Sequence, residues 1–334
     1  MYKKIVTTRT PLRVSFLGGG TDIPIFYKKK NGIVISSSID KFIYVTVKRH
    51  GPLFFKNYRL NYSKAENKNK LGDIENNIIR ETLKLIKINK PIYISSISDV
   101  PAHTGLGSSS AFTVGLVKAL YEFKNKKISN LEVAKLACKI EINKVKSPIG
   151  KQDQYSTAIG GFNLIYFSKN SNVKVKKITK INIIKKIFNN SFFVWIGGLR
   201  KTNDILKDQN SRLRINLKNL TTLKNLTSYL YKQIKNDNFT ITEFAELLNA
   251  SWQIKKNLSK KINNNKITKI YNLAIKNGAL GGKLLGAGGG GFLFLVVKKK
   301  ETLKFYKKMC TNNKNLRIMQ YKYYEKGTEV VMSL

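Results

Sequence analysis

The chain has 334 residues, 42% of them hydrophobic and 10% aromatic, which is enough to bury a core and too apolar for global disorder. Lysine and arginine outnumber aspartate and glutamate 62 to 19, a formal charge of +43 of the kind that points to nucleic acid or an anionic membrane. The lysines are scattered among asparagines, as in "NYSKAENKNK" (61–70) and "TNNKNLR" (311–317), without a basic tail or block; a solvated basic surface, or a field that steers anionic small molecules, accounts for them as well.

No segment reaches the ~18 apolar residues that span a bilayer. The start, "MYKKIVTTRTPL", lacks the apolar region of a signal peptide. Cys138 and Cys310 cannot make a disulfide framework, so a reduced, cytoplasmic chain without a membrane partner is expected.

In chain order, "LRVSFL" (12–17) alternates, with Leu12, Val14 and Phe16 on one face and Arg13, Ser15 and Leu17 on the other, which predicts a strand. "GGGTD" (18–22) breaks it. "GIVIS" (32–36) and "KFIYVTVK" (41–48) read as two more strands, with His50-Gly51-Pro52 as a turn, and the polar stretch 56–77 reads as irregular. Ile78, Ile79, Leu83 and Ile86 have helical spacing, and "PIYISSIS" (91–98) is a strand feeding "PAHTGLGSSSAFTVGLVKAL" (101–120). Helices are predicted over 109–124 and 130–145, the second opened by the capping signal "SNLE". Strands at 160–167 and 192–197 flank 168–190, the least structured stretch. Helices follow at 203–234, 242–258 and 266–278, then a buried strand, "GFLFLVVK" (291–298). The expected class is α+β without internal repeats: a strand-rich unit over 1–185 and a helix-plus-sheet unit over 186–334.

Four stretches carry candidate chemistry. Gly105-Leu106-Gly107-Ser108-Ser109-Ser110, between strand and helix, puts bare amides at a helix N-terminus, where the peptide dipoles favour an anion. Glycines admit a phosphate to the backbone, and serine hydroxyls can donate to it or ligate Mg²⁺. No Gly-Lys-Ser/Thr follows, so this is not a Walker A loop, and a capped helix start fits the same residues. "KLLGAGGGGFLFLVV" (283–297) has Gly286 and Gly288–Gly291, suited to a linker or to a tight turn against something bulky. "PLRVSFLGGGTD" (11–22) ends a strand in three glycines and Asp22, as a turn or a ligand site would. In "SPIGKQDQYSTAIGG" (147–161) Asp153 sits on a turn-like stretch, twelve residues after Glu141 on a predicted helix; an Asp so placed is commonly a turn residue. His50 and His103 have neither the pairing nor the spacing of a zinc site.

Together these stretches resemble the superfamily of galactokinase, homoserine kinase, mevalonate kinase and phosphomevalonate kinase, in order and over essentially the whole chain. "PAHTGLGSSSA" resembles its phosphate loop, "KLLGAGGGGF" its C-terminal glycine motif and "PLRVSFLGGGTD" its N-terminal substrate motif. "LGGGTD", "PIGKQDQY" and "GGKLLGAGGGGF" are most similar to its D-glycero-D-manno-heptose 7-phosphate kinase branch. Galactokinase has Glu-His where Gly19 and Gly20 stand here, which argues against galactose and leaves room for a larger or phosphorylated sugar.

The resemblance implies a two-domain kinase fold whose first half holds a strand-loop-helix unit like one used in the ribosome. It implies ATP-dependent phosphorylation of a heptose 7-phosphate at its anomeric hydroxyl, on the way to nucleotide-activated heptose, with ATP and Mg²⁺ required. Its rivals are a kinase of a fucose- or galactose-type sugar and a basic nucleic-acid-binding protein; no specific nucleic-acid partner is expected, and the chain would act as a monomer or homodimer. By resemblance, Asp153 would orient or deprotonate the acceptor hydroxyl, and Arg13 would hold Asp153 ionised and face the moving phosphoryl group. The amides of Gly105 to Ser110 would cradle the triphosphate, and Ser109, less so Ser108, with Glu141 would hold Mg²⁺. Thr21 and Asp22 would bind sugar hydroxyls, Lys151, Gln154 and Gly289 would lie by the acceptor, and Arg200-Lys201 would seat the acceptor's own phosphate.

Overall fold

A computed structural model describes residues 2–51, 53–197, 202–311 and 316–334. Its order is β1 (Ile5–Leu17), α1 (Pro24–Lys30), β2 (Gly32–Arg49), β3 (Tyr58–Asn61), β4 (Ala65–Lys68), α2 (Asn77–Ile86), β5 (Ile92–Ser98), α3 (Ser108–Phe123), α4 (Asn130–Cys138), α5 (Gln152–Ile159), β6 (Phe162–Phe167), β7 (Val173–Lys177) and α6 (Ile181–Asn189). Then come β8 (Ser191–Trp195), α7 (Thr202–Ser211), α8 (Leu213–Lys235), α9 (Ile241–Lys256), α10 (Asn265–Lys276), β9 (Gly281–Leu284), β10 (Phe292–Val296), α11 (Thr302–Thr311), β11 (Arg317–Met319) and β12 (Glu329–Ser333). The mixed helix and sheet class is the one expected.

The first sheet runs β12-β1-β2-β5-β3-β4, with β6 paired to β2 and β7 to β6. The two strands predicted over 32–36 and 41–48 are one, because the intervening residues stay extended: Ser37 and Ser38 pair with Val14 and Arg13 of β1, and Ile39 is buried. One half of β2 pairs with β6 and the other with β5, so this strand is the spine of the sheet.

Two stretches expected to be irregular are ordered. Residues 58–68 form the β3–β4 hairpin, which turns only Tyr58 and Leu60 inward and is held by the buried Glu66; that carboxylate accepts from Tyr62 Oη at 2.6 Å and Glu75 N at 2.7 Å. Residues 173–189 form β7 and α6, whose apolar face is Ile183, Ile184 and Ile187. The helix predicted over 130–145 leaves α geometry after Cys138 and continues as a π-turn, Lys139–Lys144.

The second sheet, β11-β8-β10-β9, is antiparallel, and Trp252, Tyr271 and Phe305 of α9, α10 and α11 share its core. Phe16 joins the two sheets. Its ring meets Phe162 of β6, Phe244 of α9 and Phe294 of β10 edge-on at centroid distances of 5.8, 5.6 and 5.4 Å. The last strand, β12, returns to pair with β1. Among the described residues no helix is long and apolar enough to cross a membrane.

Candidate active site

A cavity of about 1070 Å³ opens where β1, the start of α3, α5, α7 and the β9–β10 turn converge. Arg13, Asp22, Gly105, Gly107, Ser108, Ser109, Ser110, Glu141 and Asp153 all line it, so residues up to 140 positions apart meet at one wall. Leu106, Thr21, Lys151, Gln154 and Gly289 do not line it, and Arg200 and Lys201 lie outside the described residues.

The loop before α3 is fixed from three sides. Arg13 N donates to Leu106 O at 3.0 Å, and the Leu106 side chain is sealed in the core. Gly107, in the left-handed region at φ 76°, is the N-cap, and no side chain caps the helix there. The 16-residue α3 therefore turns its first amides, and the positive end of its dipole, toward the cavity. The third support is the other glycine motif, which packs on this loop backbone to backbone rather than against anything bulky. A Cβ at Gly286 would fall 2.4 Å from Gly105 Cα, and one at Gly105 would fall 2.7 Å from Leu285 O. Both residues also have positive φ, 68° and 85°.

Asp153 stands in the first turn of α5, not on a turn as expected; Gly150 and the polar run around it conceal the short helix. Arg13 Nε and Nη2 grip its two carboxylate oxygens at 2.8 and 2.7 Å, and Nη1 donates to Gly105 O at 2.7 Å. The guanidinium thus ties the acidic helix to the phosphate-loop candidate in a planar, bidentate way. Its side chain is only 4% exposed, while that of Asp153 is 25% exposed, so the carboxylate faces the cavity with its orientation set from behind.

Glu141 sits on the π-turn, a geometry often kept for function. It is buried, accepts from Ser109 Oγ at 3.0 Å and from Gln154 Nε2 at 2.6 Å, and forms no ion pair among the described residues. Burial pushes its carboxyl up to about 7 against the pull of Gln154, Ser110 and Ser109. A buried carboxylate beside a hydroxyl, both hard oxygens and without a cation, is a donor pair that fits Mg²⁺.

Asp22 is also buried, its carboxyl pushed up to about 6 chiefly by desolvation. It accepts from Gly20 N at 2.9 Å and from Gln152 N at 3.1 Å, capping the helix that carries Asp153. Ser15 Oγ in turn fixes Gln152 at 2.7 Å. Thr21, expected at the sugar, is fully enclosed: its hydroxyl lies 2.8 Å from Gly18 O and 2.9 Å from Ile33 O and accepts from Ile33 N at 3.0 Å. Lys151 points to Ser171 O at 2.9 Å and over the Tyr27 ring, and Gln154 serves Glu141. Gly289 N bonds Ile262 O at 2.8 Å behind the turn.

Among the cavity residues that went unread in the sequence are Ser15, Gln152, Lys255 and Lys283. Gln152 and Lys283 lie inside the motifs "GKQDQ" and "GGKLLGAGGGGF", where a polar residue among glycines was a usable signal. Lys255, near the end of α9, had none.

Known proteins resemble this chain along most of its length. The sequence description of GHMP kinases N terminal domains matches residues 76–161, and that of GHMP kinases C terminal regions matches 230–315. A D-glycero-alpha-D-manno-heptose 7-phosphate kinase of Campylobacter jejuni is 34% identical over 302 residues, 85% of this chain and 87% of that one. Among solved structures, a D-glycero-D-manno-heptose 1-phosphate kinase from Bacteroides thetaiotaomicron superposes with a TM-score of 0.79 at 22% identity, over 98% of this chain and 99% of that one. A putative sugar kinase from Campylobacter jejuni gives 0.78 at 27% identity over 99% of each chain.

Proposed function

The chain belongs to the GHMP kinase family, and on that basis we propose that this ATP-dependent sugar kinase acts on a phosphorylated heptose, D-glycero-D-manno-heptose 7-phosphate, at its anomeric hydroxyl. The observation that carries the reading is the Arg13–Asp153 pair, set between the uncapped start of α3 and the bare backbone of Gly19 and Gly20. The relative that is 34% identical supplies the acceptor class.

The amides at the start of α3 bind the triphosphate, which needs fixed positive poles more than covalent chemistry. Ser109 and Glu141 would hold Mg²⁺, which when bound neutralises charge on the phosphate oxygens. The acceptor hydroxyl lies against Asp153, which orients it and takes its proton as the new P–O bond forms and ADP leaves. Arg13 keeps that carboxylate aimed and adds a positive charge beside the moving phosphoryl group. Asp22, Gln152 and Ser15 hold the helix start that presents Asp153, and Asp22 keeps lone pairs for a sugar hydroxyl. For the acceptor's phosphate we propose Arg200-Lys201, which precede α7 in the sequence and lie outside the described residues; Lys207 and Gln209 of α7 line the cavity.

The test is ADP release with ATP, Mg²⁺ and four acceptors: heptose 7-phosphate, heptose 1-phosphate, free heptose and galactose. Two charge-assisted bonds of about 1.5–3 kcal/mol each favour the 7-phosphate over free heptose by roughly 10²–10⁴ in kcat/KM. Asp153→Asn should lower turnover by roughly 10²–10⁴ with ADP affinity kept. Equal use of free heptose or galactose, or preference for the 1-phosphate, refutes the acceptor.

A further inference from the structure

Lys255 lines the cavity from the last turn of α9. Its ammonium donates to the carbonyls of Leu284, at 3.2 Å, and of Gly286. Leu284 ends β9 and Gly286 lies in the turn that presses on Gly105, and the Gly105 carbonyl itself takes Arg13 Nη1 at 2.7 Å. Lys255 is therefore linked to the Arg13–Asp153 pair through two touching backbone turns, and all three side chains line the one cavity.

Neither Lys255 nor its neighbour Lys283 has a carboxylate partner among the described residues. Lys283, 4% exposed, donates to Phe16 O at 2.7 Å and holds the end of β1. Burial and the charge of Arg13 pull Lys255 down to about 7, and burial pulls Lys283 down as well. Positive groups gathered with only carbonyls as partners are unfavourable in the empty protein, and an anion placed among them relieves that. Arg13 commits one N–H from each of Nε, Nη1 and Nη2 and is held to Asp153 and Gly105, and an ammonium with two carbonyl bonds keeps a third N–H.

Resting on the kinase reading above, we infer that Lys255 is a further catalytic residue, whose free N–H meets the phosphoryl group as it passes from ATP to the acceptor. The acceptor oxygen forms its bond to phosphorus, the bond to the β–γ bridging oxygen breaks, and that electron pair leaves on ADP. Lys255 keeps its proton throughout and stabilises the equatorial oxygens.

The competing role is a staple for the glycine turn, which would affect nucleotide binding and folding rather than the transfer step. Lys255→Met is expected to lower kcat by ~10²–10³, the loss typical of one transition-state donor, with the Kd for ADP within about threefold of wild type. Lys255→Arg, which keeps the charge, should recover about tenfold of that loss. A second measurement needs no acceptor: in magnesium buffer, ADP with aluminium fluoride mimics the phosphoryl group in flight. Wild type should bind it more tightly than ADP alone, and Lys255→Met should lose most of that advantage. Turnover within about threefold of wild type, ADP binding weakened as much as turnover, or an undiminished fluoride advantage overturns the assignment. If wild type phosphorylates no heptose phosphate while Lys255→Met still loses the fluoride advantage, the acceptor reading fails and Lys255 keeps its role.

Discussion

Asp22 occupies the space in front of Gly150 so closely that a Cβ there would fall 1.9 Å from its Oδ2. The same carboxylate caps Gln152 N at 3.1 Å, so the missing side chain at residue 150 lets one buried acid set the start of the helix that presents Asp153.

Gly150→Ala must therefore displace either Asp22 or the helix start. A shift of about 1 Å at a reacting group lowers rate by up to ~10², so kcat should fall by roughly 10–10². ADP affinity, governed by α3, should stay near wild type. Steady-state kinetics beside calorimetric ADP titration checks this; a loss confined to ADP binding contradicts it.

The metal assignment concerns two oxygens 3.0 Å apart, Ser109 Oγ and Glu141 Oε1. Ser109→Ala and Glu141→Ala each remove one hard donor of few, so the Mg²⁺ concentration for half-maximal rate should rise by about tenfold or more. Mg²⁺-dependent tightening of ATP, followed by calorimetry, should shrink in both variants. An unchanged requirement in both removes them from the metal site.

Much of this site was legible because local backbone rules govern it. A glycine-serine run between strand and helix has few uses, and its helix begins at Ser108 as the pattern requires. The hairpin around Glu66 was hidden because an edge hairpin turns few residues inward, leaving a polar sequence. The π-turn under Glu141 leaves no trace in apolar spacing. Thr21 and Asp22 are adjacent polar residues, yet one is sealed on Gly18 and Ile33 and the other lines the cavity, a difference made by the turn that follows β1. Lys255 was silent for a compositional reason: in a chain with 62 Lys and Arg, one more lysine at a helix end carries no information until its place in the cavity is known.

The pH dependence of Lys255 has a definite sign. Its folded value lies near 7, below the ordinary 10.5, under burial and the charge of Arg13 on β1, with Lys283 on β9 as the other cation of the cluster. As pH rises from about 7 to 10.5 the folded protein releases a proton that the unfolded chain keeps, so stability rises across that window and is lost on descent. Ligand-free Lys255→Met should accordingly melt higher than wild type at neutral pH, with the gap closing toward 10.5. Activity runs the other way: kcat/KM should fall in wild type as pH climbs past about 7, and that limb should be absent in Lys255→Arg. A shared limb in both proteins contradicts this.

The charge of +43 should show itself only as weak, salt-sensitive binding to duplex DNA, with Kd of ~10⁻⁴–10⁻⁶ M at physiological salt and no sequence preference. Fluorescence anisotropy on two unrelated duplexes tests it, and nanomolar, selective binding would reopen a nucleic-acid role.

The most direct measurement is phosphorus NMR of the reaction itself, with ATP, Mg²⁺ and D-glycero-D-manno-heptose 7-phosphate, on wild type and Asp153→Asn. The expected result is a second sugar phosphate, coupled to the anomeric proton, growing in step with ADP in wild type and slowed by roughly 10²–10⁴ in the variant. A new phosphate on any other carbon, ADP without a new sugar phosphate, or an Asp153→Asn protein as fast as wild type would contradict it.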